Sequence, residues 1–211
     1  MKVTGSAVLH APRDKVWQAL NDPAVLVRTI PGCHQLAAVG QDAYRMTLSA
    51  GVASIKGTYQ GDVRLSDQQE PESFLMRATG AGGPGTISAD VIVRLAEEAD
   101  GVTRLDYDAD AVVGGMIGGV GQRVLAGVAK KTAGEFFQAV DDVLTGKSEA
   151  APAEVPAAGG GDTPAVFQRQ PAAGVAIPGG AFLQGAVFGA VTALAGALVG
   201  GWLAGRRAAR R

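Results

Sequence analysis

The sequence predicts an α+β domain: a curved antiparallel sheet around one long C-terminal helix, followed by a disordered linker and an apolar C-terminal segment. Three observations carry this. Apolar residues recur with a period of two in successive runs from Ala43 to Asp110. From Ala111 to Leu144 the period becomes helical, and beyond it periodicity stops in a stretch rich in Pro, Ala and Gly. Strands grouped together, short helices near the start and one closing helix form an α+β order.

Lys2 to His10 alternates and reads as the first strand, without the apolar run of a secretory signal. Pro12 suits a first helical turn, and Val16, Trp17 and Leu20 give the following short helix an apolar face. Asn21-Asp22-Pro23 ends it, and Pro23 opens a second helix carrying Val25, Leu26 and Ile30. Pro31-Gly32 closes that helix and places Cys33 and His34 in a loop. The meander then begins. Tyr44, Met46 and Leu48 point one way and Arg45, Thr47 and Ser49 the other. Tyr59, Val63 and Leu65 repeat the pattern, as do Phe74 with Met76, Ile87 with Val91, Val93 and Leu95, and Leu105 with Tyr107 and Ala109. One wet face and one apolar face are expected.

The stretch 111–144 is the longest candidate for a single helix. Val113, Ile117, Val120, Val124, Val128, Phe136, Val140 and Leu144 fall on one face, with Lys130, Lys131, Glu135, Gln138, Asp141 and Asp142 on the other in its second half. Its first half is uncharged and holds five glycines, at 114, 115, 118, 119 and 121. Each costs a helix interior about 1 kcal/mol relative to alanine, so the start of the run need not be helical. Either the glycines make room for a backbone, a ligand or a membrane, or they reflect a chain rich in Gly and Ala throughout.

Composition narrows the function classes. The 211 residues suit one ordinary domain with appendages, and the net charge of −1 without a basic patch before the last six residues argues against nucleic acid. A single cysteine excludes an internal disulfide and fits a reducing compartment. The domain organisation read from these features is a globular domain over 1–145, a flexible linker over 146–180, an apolar membrane-anchoring helix over 181–205 and an Arg-rich tail over 206–211. As a coil the linker reaches on the order of 30–36 Å.

The apolar block carries Phe182, Leu183, Val187, Phe188, Val191, Leu194, Leu198 and Trp202 and is long enough to cross a bilayer core, which needs about 20 residues. Small residues recur at every fourth position from Ala181 to Gly205, a stripe that permits self-association of membrane helices or follows from composition alone. Arg206, Arg207, Arg210 and Arg211 close the chain. Spanning from a cytoplasmic domain would place these arginines outside, against the positive-inside tendency; the other geometry lays the segment in the cytoplasmic interface with the arginines on anionic headgroups. Either one places the protein at the cytoplasmic face of the cell membrane.

Catalytic constellations are sparse. His10 and His34 stand in no metal-ligand spacing, and no metal site is expected. Cys33 is a packing thiol or, with no neighbouring base identified, an exposed nucleophile. Gly80-Ala-Gly-Gly-Pro-Gly85 has the form GxGxxG, but a strand and not a helix follows it, so it reads as a hairpin loop. Asp106, Asp108 and Asp110, with Arg45, Arg64, Arg77 and Arg94, alternate onto the wet face, where they can pair across strands. The apolar face is the informative one. Tyr44, Met46, Tyr59, Met76 and Tyr107 from the sheet, with Val113, Met116, Ile117, Val120 and Val124 from the helix, form the candidate ligand-binding set. Gly57, Gly61 and the helix glycines argue that this core is incompletely filled, as in a greasy pocket for a lipophilic ligand with polar ends.

The segments Ala-Pro-Arg-Asp-Lys-Val-Trp-Gln-Ala-Leu-Asn-Asp-Pro at 11–23, Pro-Gly-Cys at 31–33, Lys56-Gly-Thr-Tyr-Gln-Gly61, Gly114-Gly115, Gly121-Gln-Arg123 and Phe136-Phe137 together resemble the carbon monoxide dehydrogenase CoxG family, which belongs to the START-like (SRPBCC) superfamily. The resemblance covers roughly residues 1–145. It implies a helix-grip fold around a hydrophobic cavity. It also implies a noncatalytic accessory protein of a cytoplasmic molybdenum-containing carbon monoxide dehydrogenase, concerned with its maturation or membrane recruitment. Three readings follow: a membrane-tethered carrier of a lipophilic molecule, a recruitment adaptor with a filled core, and a START-like cyclase or hydrolase. The absence of paired His, Asp or Glu on the inner face weighs against the enzyme. No covalent cofactor is expected. The ligand expected of the carrier is a respiratory quinone, its tail along Met116, Ile117, Val120 and Val124 and its ring near Tyr59 or Tyr107. A fatty acid or other membrane lipid is the alternative occupant.

Overall fold

The computed structural model describes residues 1–148, 153–155 and 165–168. Strand β1 (Lys2–Leu9) leads into two helices, α1 (Arg13–Asn21) and α2 (Pro23–Thr29). Six strands follow: β2 (Cys33–Gly40), β3 (Ala43–Val52), β4 (Ile55–Gln69), β5 (Ser73–Gly82), β6 (Gly85–Glu97) and β7 (Thr103–Gly115). Then come the long helix α3 (Gln122–Leu144) and two short strands, β8 (Ala153–Val155) and β9 (Val166–Gln168). All strands join one antiparallel sheet in the order β1-β7-β6-β5-β4-β3-β2-β9-β8, and α3 lies against its concave face.

The alternation seen in the sequence sets the two faces. On the outer face Arg45 pairs with Asp62 at 2.9 Å and Arg77 with Asp90 at 2.8 Å, both across neighbouring strands and both exposed. Such pairs contribute little to stability but keep a long sheet soluble. The GxGxxG segment is a hairpin, with Gly82 opposite Gly85 and Gly83-Pro84 between them. On the inner face, Leu9, Val16, Trp17, Leu20, Phe74, Val93, Leu95, Leu105 and Val140 form one core cluster. Trp17 meets Phe74 edge-on at 5.5 Å, an arrangement that aromatic quadrupoles favour. A second cluster joins Leu26, Val27, Cys33, Leu36 and Tyr44. The buried Thr103 hydroxyl donates to the Ala11 carbonyl at 2.7 Å and ties β7 to the start of α1.

Three expectations are corrected. The helix does not begin at Ala111. Ala111–Gly115 completes β7 against Gly85–Ala89, a 3₁₀ segment follows over Met116–Val120, and α3 opens at Gln122. Val112 and Val113 are β-branched and alternate correctly for a strand, and the glycines serve the reversal rather than thinning a helix. Gly115 and Gly121 adopt positive φ, +76° and +93°, at the two ends of the 3₁₀ segment, a conformation open to glycine. Cys33 and His34 are not in a loop: they begin β2, with Cys33 only 1% exposed, which removes the exposed-nucleophile reading. Finally, both β8 and β9 fall inside the stretch read as linker, and β9 pairs with β2. Its Phe167 stands opposite Leu36 and packs on the second cluster, so Val166-Phe167 was a strand signal amid low-complexity sequence.

No helix among the described residues is long and apolar enough to cross a membrane. The anchor at 181–205, with Phe182, Leu183, Val187, Phe188, Val191, Leu194, Leu198 and Trp202, and the tail with Arg206, Arg207, Arg210 and Arg211 lie outside the described residues.

Candidate functional site

Between the sheet and α3 lies an apolar cavity of about 410 Å³, a size typical of small-molecule sites. Tyr44, Met46, Val63, Leu65, Met76, Val91 and Tyr107 line it from the sheet, Leu20, Leu26, Ile30 and Pro31 from the two short helices and the turn after them, and Ala129, Thr132, Ala133, Phe136 and Phe137 from α3. The helix contributes positions spaced by three and four, one face of α3, and at 129 and 133 that face carries only methyl groups. A long helix held off the sheet by the bulk of Phe136 and Phe137, yet presenting alanines beside them, leaves space that no side chain fills.

Of the ten residues expected to form the site, Tyr44, Met46, Met76 and Tyr107 line the cavity. Tyr59 is buried but lies against Gly82. Val113, Met116, Ile117 and Val120 do not line it, because the chain from 111 to 121 is strand and turn rather than helix, and Val124, in the first turn of α3, does not line it either. Val113 belongs to β7 and Val120 ends the 3₁₀ segment, both half-buried. Ile117 is buried beneath the β5–β6 hairpin, its amide donating to the Pro84 carbonyl at 3.2 Å. Met116 and Val124 are 64% and 46% exposed. The helical lining comes instead from one to three turns further along. The spacing of Ala129, Thr132, Ala133 and Phe136 was visible in the sequence, but small residues do not stand out in a chain this rich in alanine.

Polar groups on the wall are few. The Tyr44 hydroxyl donates to the Asn21 carbonyl at 3.2 Å, and burial, then Asp42 and Asp22, raise its pKa. Burial likewise raises that of Tyr107. Both phenols are therefore neutral donors at physiological pH. The Thr132 hydroxyl is the other side-chain polar group on the lining, and the Met1 amine is engaged by the Ala111 carbonyl and lies 3.7 Å from Asp110. Among the described residues, no Lys, Arg, His, Asp or Glu side chain lines the cavity.

Tyr107 has a second role. Its ring lies over Gly5, the residue opposite it on β1, where a Cβ would come within 2.6 Å of the ring carbon that bears the hydroxyl. It also packs on Phe137, with centroids 5.7 Å apart. On the far side of this pair, between β1 and α3, opens a polar cleft of about 340 Å³ lined by Ser6, His10, Lys130, Gly134, Gln138 and Asp141. There the His10 amide donates to Asp141 Oδ1 at 2.7 Å and its Nδ1 bonds Oδ2 at 2.9 Å. Burial pushes the Asp141 carboxyl up, but the two bonds from His10, with Lys147 further off, outweigh it and hold the carboxyl below its ordinary value. Sequence spacing gave no hint of this pair, which is 131 residues apart. Among the described residues, no group of three His, Cys, Asp or Glu is placed to hold a metal ion.

The model of the carbon monoxide dehydrogenase CoxG family matches residues 5–145. The chain belongs to that family. The match runs from within β1 through α3 and takes in all of the cavity lining except Met1 and Val3. Among solved structures, a conserved protein from Geobacillus kaustophilus is 33% identical, with a TM-score of 0.67 over 70% of this chain and 97% of its own. A START superfamily protein from Mycobacterium smegmatis (13% identity, TM-score 0.54, 70% and 99% coverage) shares the fold. So does the Zhui aromatase/cyclase from Streptomyces sp. R1128 (19%, 0.53, 71% and 96%). At these identities the last two show the fold alone, which for this CoxG chain is START-like. No curated protein matches the chain in sequence.

Proposed function

We propose that this protein is a noncatalytic, membrane-tethered accessory of a cytoplasmic molybdenum-containing carbon monoxide dehydrogenase, and that its cavity carries a neutral lipophilic molecule, a respiratory quinone. The observation that carries the ligand reading is the chemistry of the cavity wall. Long apolar surface is accommodated at roughly 0.8 kcal/mol per buried CH₂. A carboxylate taken out of water needs a partner charge or several donors, and among the described residues the wall has no cationic side chain to offer a fatty acid. The wall presents almost no polar surface, which suits the isoprenoid tail of a quinone. Family membership supports the dehydrogenase as partner. A quinone carried between that enzyme and the bilayer would pass its electrons to a respiratory chain, with the apolar block at 181–205 holding the protein at the cytoplasmic face of the membrane.

The test is titration of a short-chain menaquinone or ubiquinone into the delipidated full-length protein, with palmitate as control. Quinone binding tighter than palmitate and lost in Ala133→Trp, which fills the cavity from α3, supports the reading. Equal affinity, or binding indifferent to Ala133→Trp, overturns it. The alternative of a START-like enzyme rests on the His10–Asp141 pair, which faces the polar cleft and reaches the cavity only through Tyr107 and Phe137. Quinone affinity unchanged in His10→Ala is expected of a carrier.

A further inference from the structure

The two ends of the sheet differ in charge. The turns at one end cover residues 40–42, 66–72 and 97–102 and hold one, three and three carboxylates, with no base. The connections at the other end run through 29–33, 47–55, 78–89 and 111–122, and none contains a charged residue. Register brings these four segments together: Cys33 stands opposite Leu48, Tyr59 opposite Gly82 and Gly85 opposite Gly115. The Ser49 amide donates to the Gly32 carbonyl, and the Ile117 amide to the Pro84 carbonyl. The tip they make is apolar and open, with Met116, Val124 and Ile87 among the most exposed large apolar side chains described. Exposed bases stand behind it, Lys56 after the β3–β4 hairpin and Arg123 after the 3₁₀ segment.

We infer that this uncharged end of the domain docks on a lipid bilayer, independently of the apolar block at 181–205. An apolar tip with basic residues behind it is the composition of an interfacial membrane surface, where side chains enter the acyl boundary and the bases meet anionic headgroups. The seven carboxylates of the opposite end fix the orientation, since anionic headgroups repel them. Continuity with the cavity favours lipid over a protein partner. Ile30, Pro31, Ile87 and Ala111 line the cavity and belong to or border these same segments, so docking sets the cavity against the acyl region. Docking rests on surface composition and holds whichever lipophilic molecule the cavity carries.

Attachment by the C-terminal block and docking by the tip are separated by labelling the full chain. Gly83→Cys and Gly119→Cys place a polarity-sensitive fluorophore on the tip, where a Cβ meets nothing within 4 Å. Gln68→Cys places it at the acidic end, and the native Cys33 is buried. On vesicles of phosphatidylcholine with a minority of phosphatidylglycerol, the labels at 83 and 119 should shift to the blue and become severalfold less quenched by aqueous iodide. The label at 68 should not change. Met116→Asp, at an exposed site, should abolish shielding at 83. Vesicle-bound protein whose labels at 83 and 119 remain as quenchable as in solution overturns the docking, because the C-terminal block alone then holds the protein. A blue shift that depends on protein concentration without vesicles also overturns it and assigns the tip to a second copy. Lipid retained by purified Met116→Asp is measured separately by native mass spectrometry, so loss of the carried ligand counts against the ligand reading and not against docking.

Discussion

The cavity and the cleft share a wall of two rings, Tyr107 and Phe137, yet differ in almost every other respect. The cavity is walled by the sheet and one face of α3, and its few polar groups are neutral or already engaged. The cleft is bounded by the edge strand β1 and the neighbouring face of the same helix, and it holds Ser6, His10, Lys130, Gln138 and Asp141. One turn of α3 supplies both: Ala133 faces the cavity and Gly134 the cleft. A rotation of about 100° around the helix axis, one residue of an α-helix, thus separates the apolar cavity from the polar cleft.

Substitutions on the two sides should report this difference. The largest effect is expected at the cavity wall, where Leu105 is fully buried. Leu105→Ala should lower unfolding free energy by about 3 kcal/mol, as large-to-small core changes do, measured by urea denaturation. Ala133→Trp should weaken quinone binding about a hundredfold, equivalent to about 2.7 kcal/mol, while the cleft variant Gln138→Ala leaves it unchanged. Equal losses would mean that the two spaces act as one site.

Asp141→Asn should cost about 1.5 kcal/mol at pH 7, the order of a hydrogen bond to a charged group. The sign of its pH dependence follows from the depressed carboxyl. The stabilisation is complete above the unfolded value and is lost as pH falls through the lower folded value, so wild type and variant should converge in acid. A difference that persists there would assign the effect to packing. The smallest change is a gain. Gly134→Ala adds a methyl where nothing lies within 4 Å and should stabilise α3 by about 0.5–1 kcal/mol, with no effect on the cavity ligand.

Much of the fold was legible because strands of this sheet are wet on one side. Arg45 against Tyr44 and Met46, or Asp106 and Asp108 against Leu105 and Tyr107, state both a strand and its orientation. Legibility failed where that contrast disappears. Cys33–Gly40 has little alternation, and Val166–Gln168 is three residues in a stretch of prolines, alanines and glycines; each became a strand because a neighbour offered an edge. The run from Ala111 was ambiguous for a different reason. Valines and glycines at those positions satisfy a helical spacing and a strand alternation alike, and pairing with β6 decided between them.

The sequence by itself determined the family, the meander with its charged outer face, and the inward direction of Tyr44, Met46, Met76 and Tyr107, since period and composition are local properties. Only the tertiary structure decided where the helix begins, and therefore that Ala129, Thr132 and Ala133 line the cavity while Met116 and Val124 stand at the exposed tip. It alone paired His10 with Asp141 and gathered four uncharged connections at one end. Those arrangements depend on strand register and on how α3 crosses the sheet, which bring together residues that are far apart along the chain.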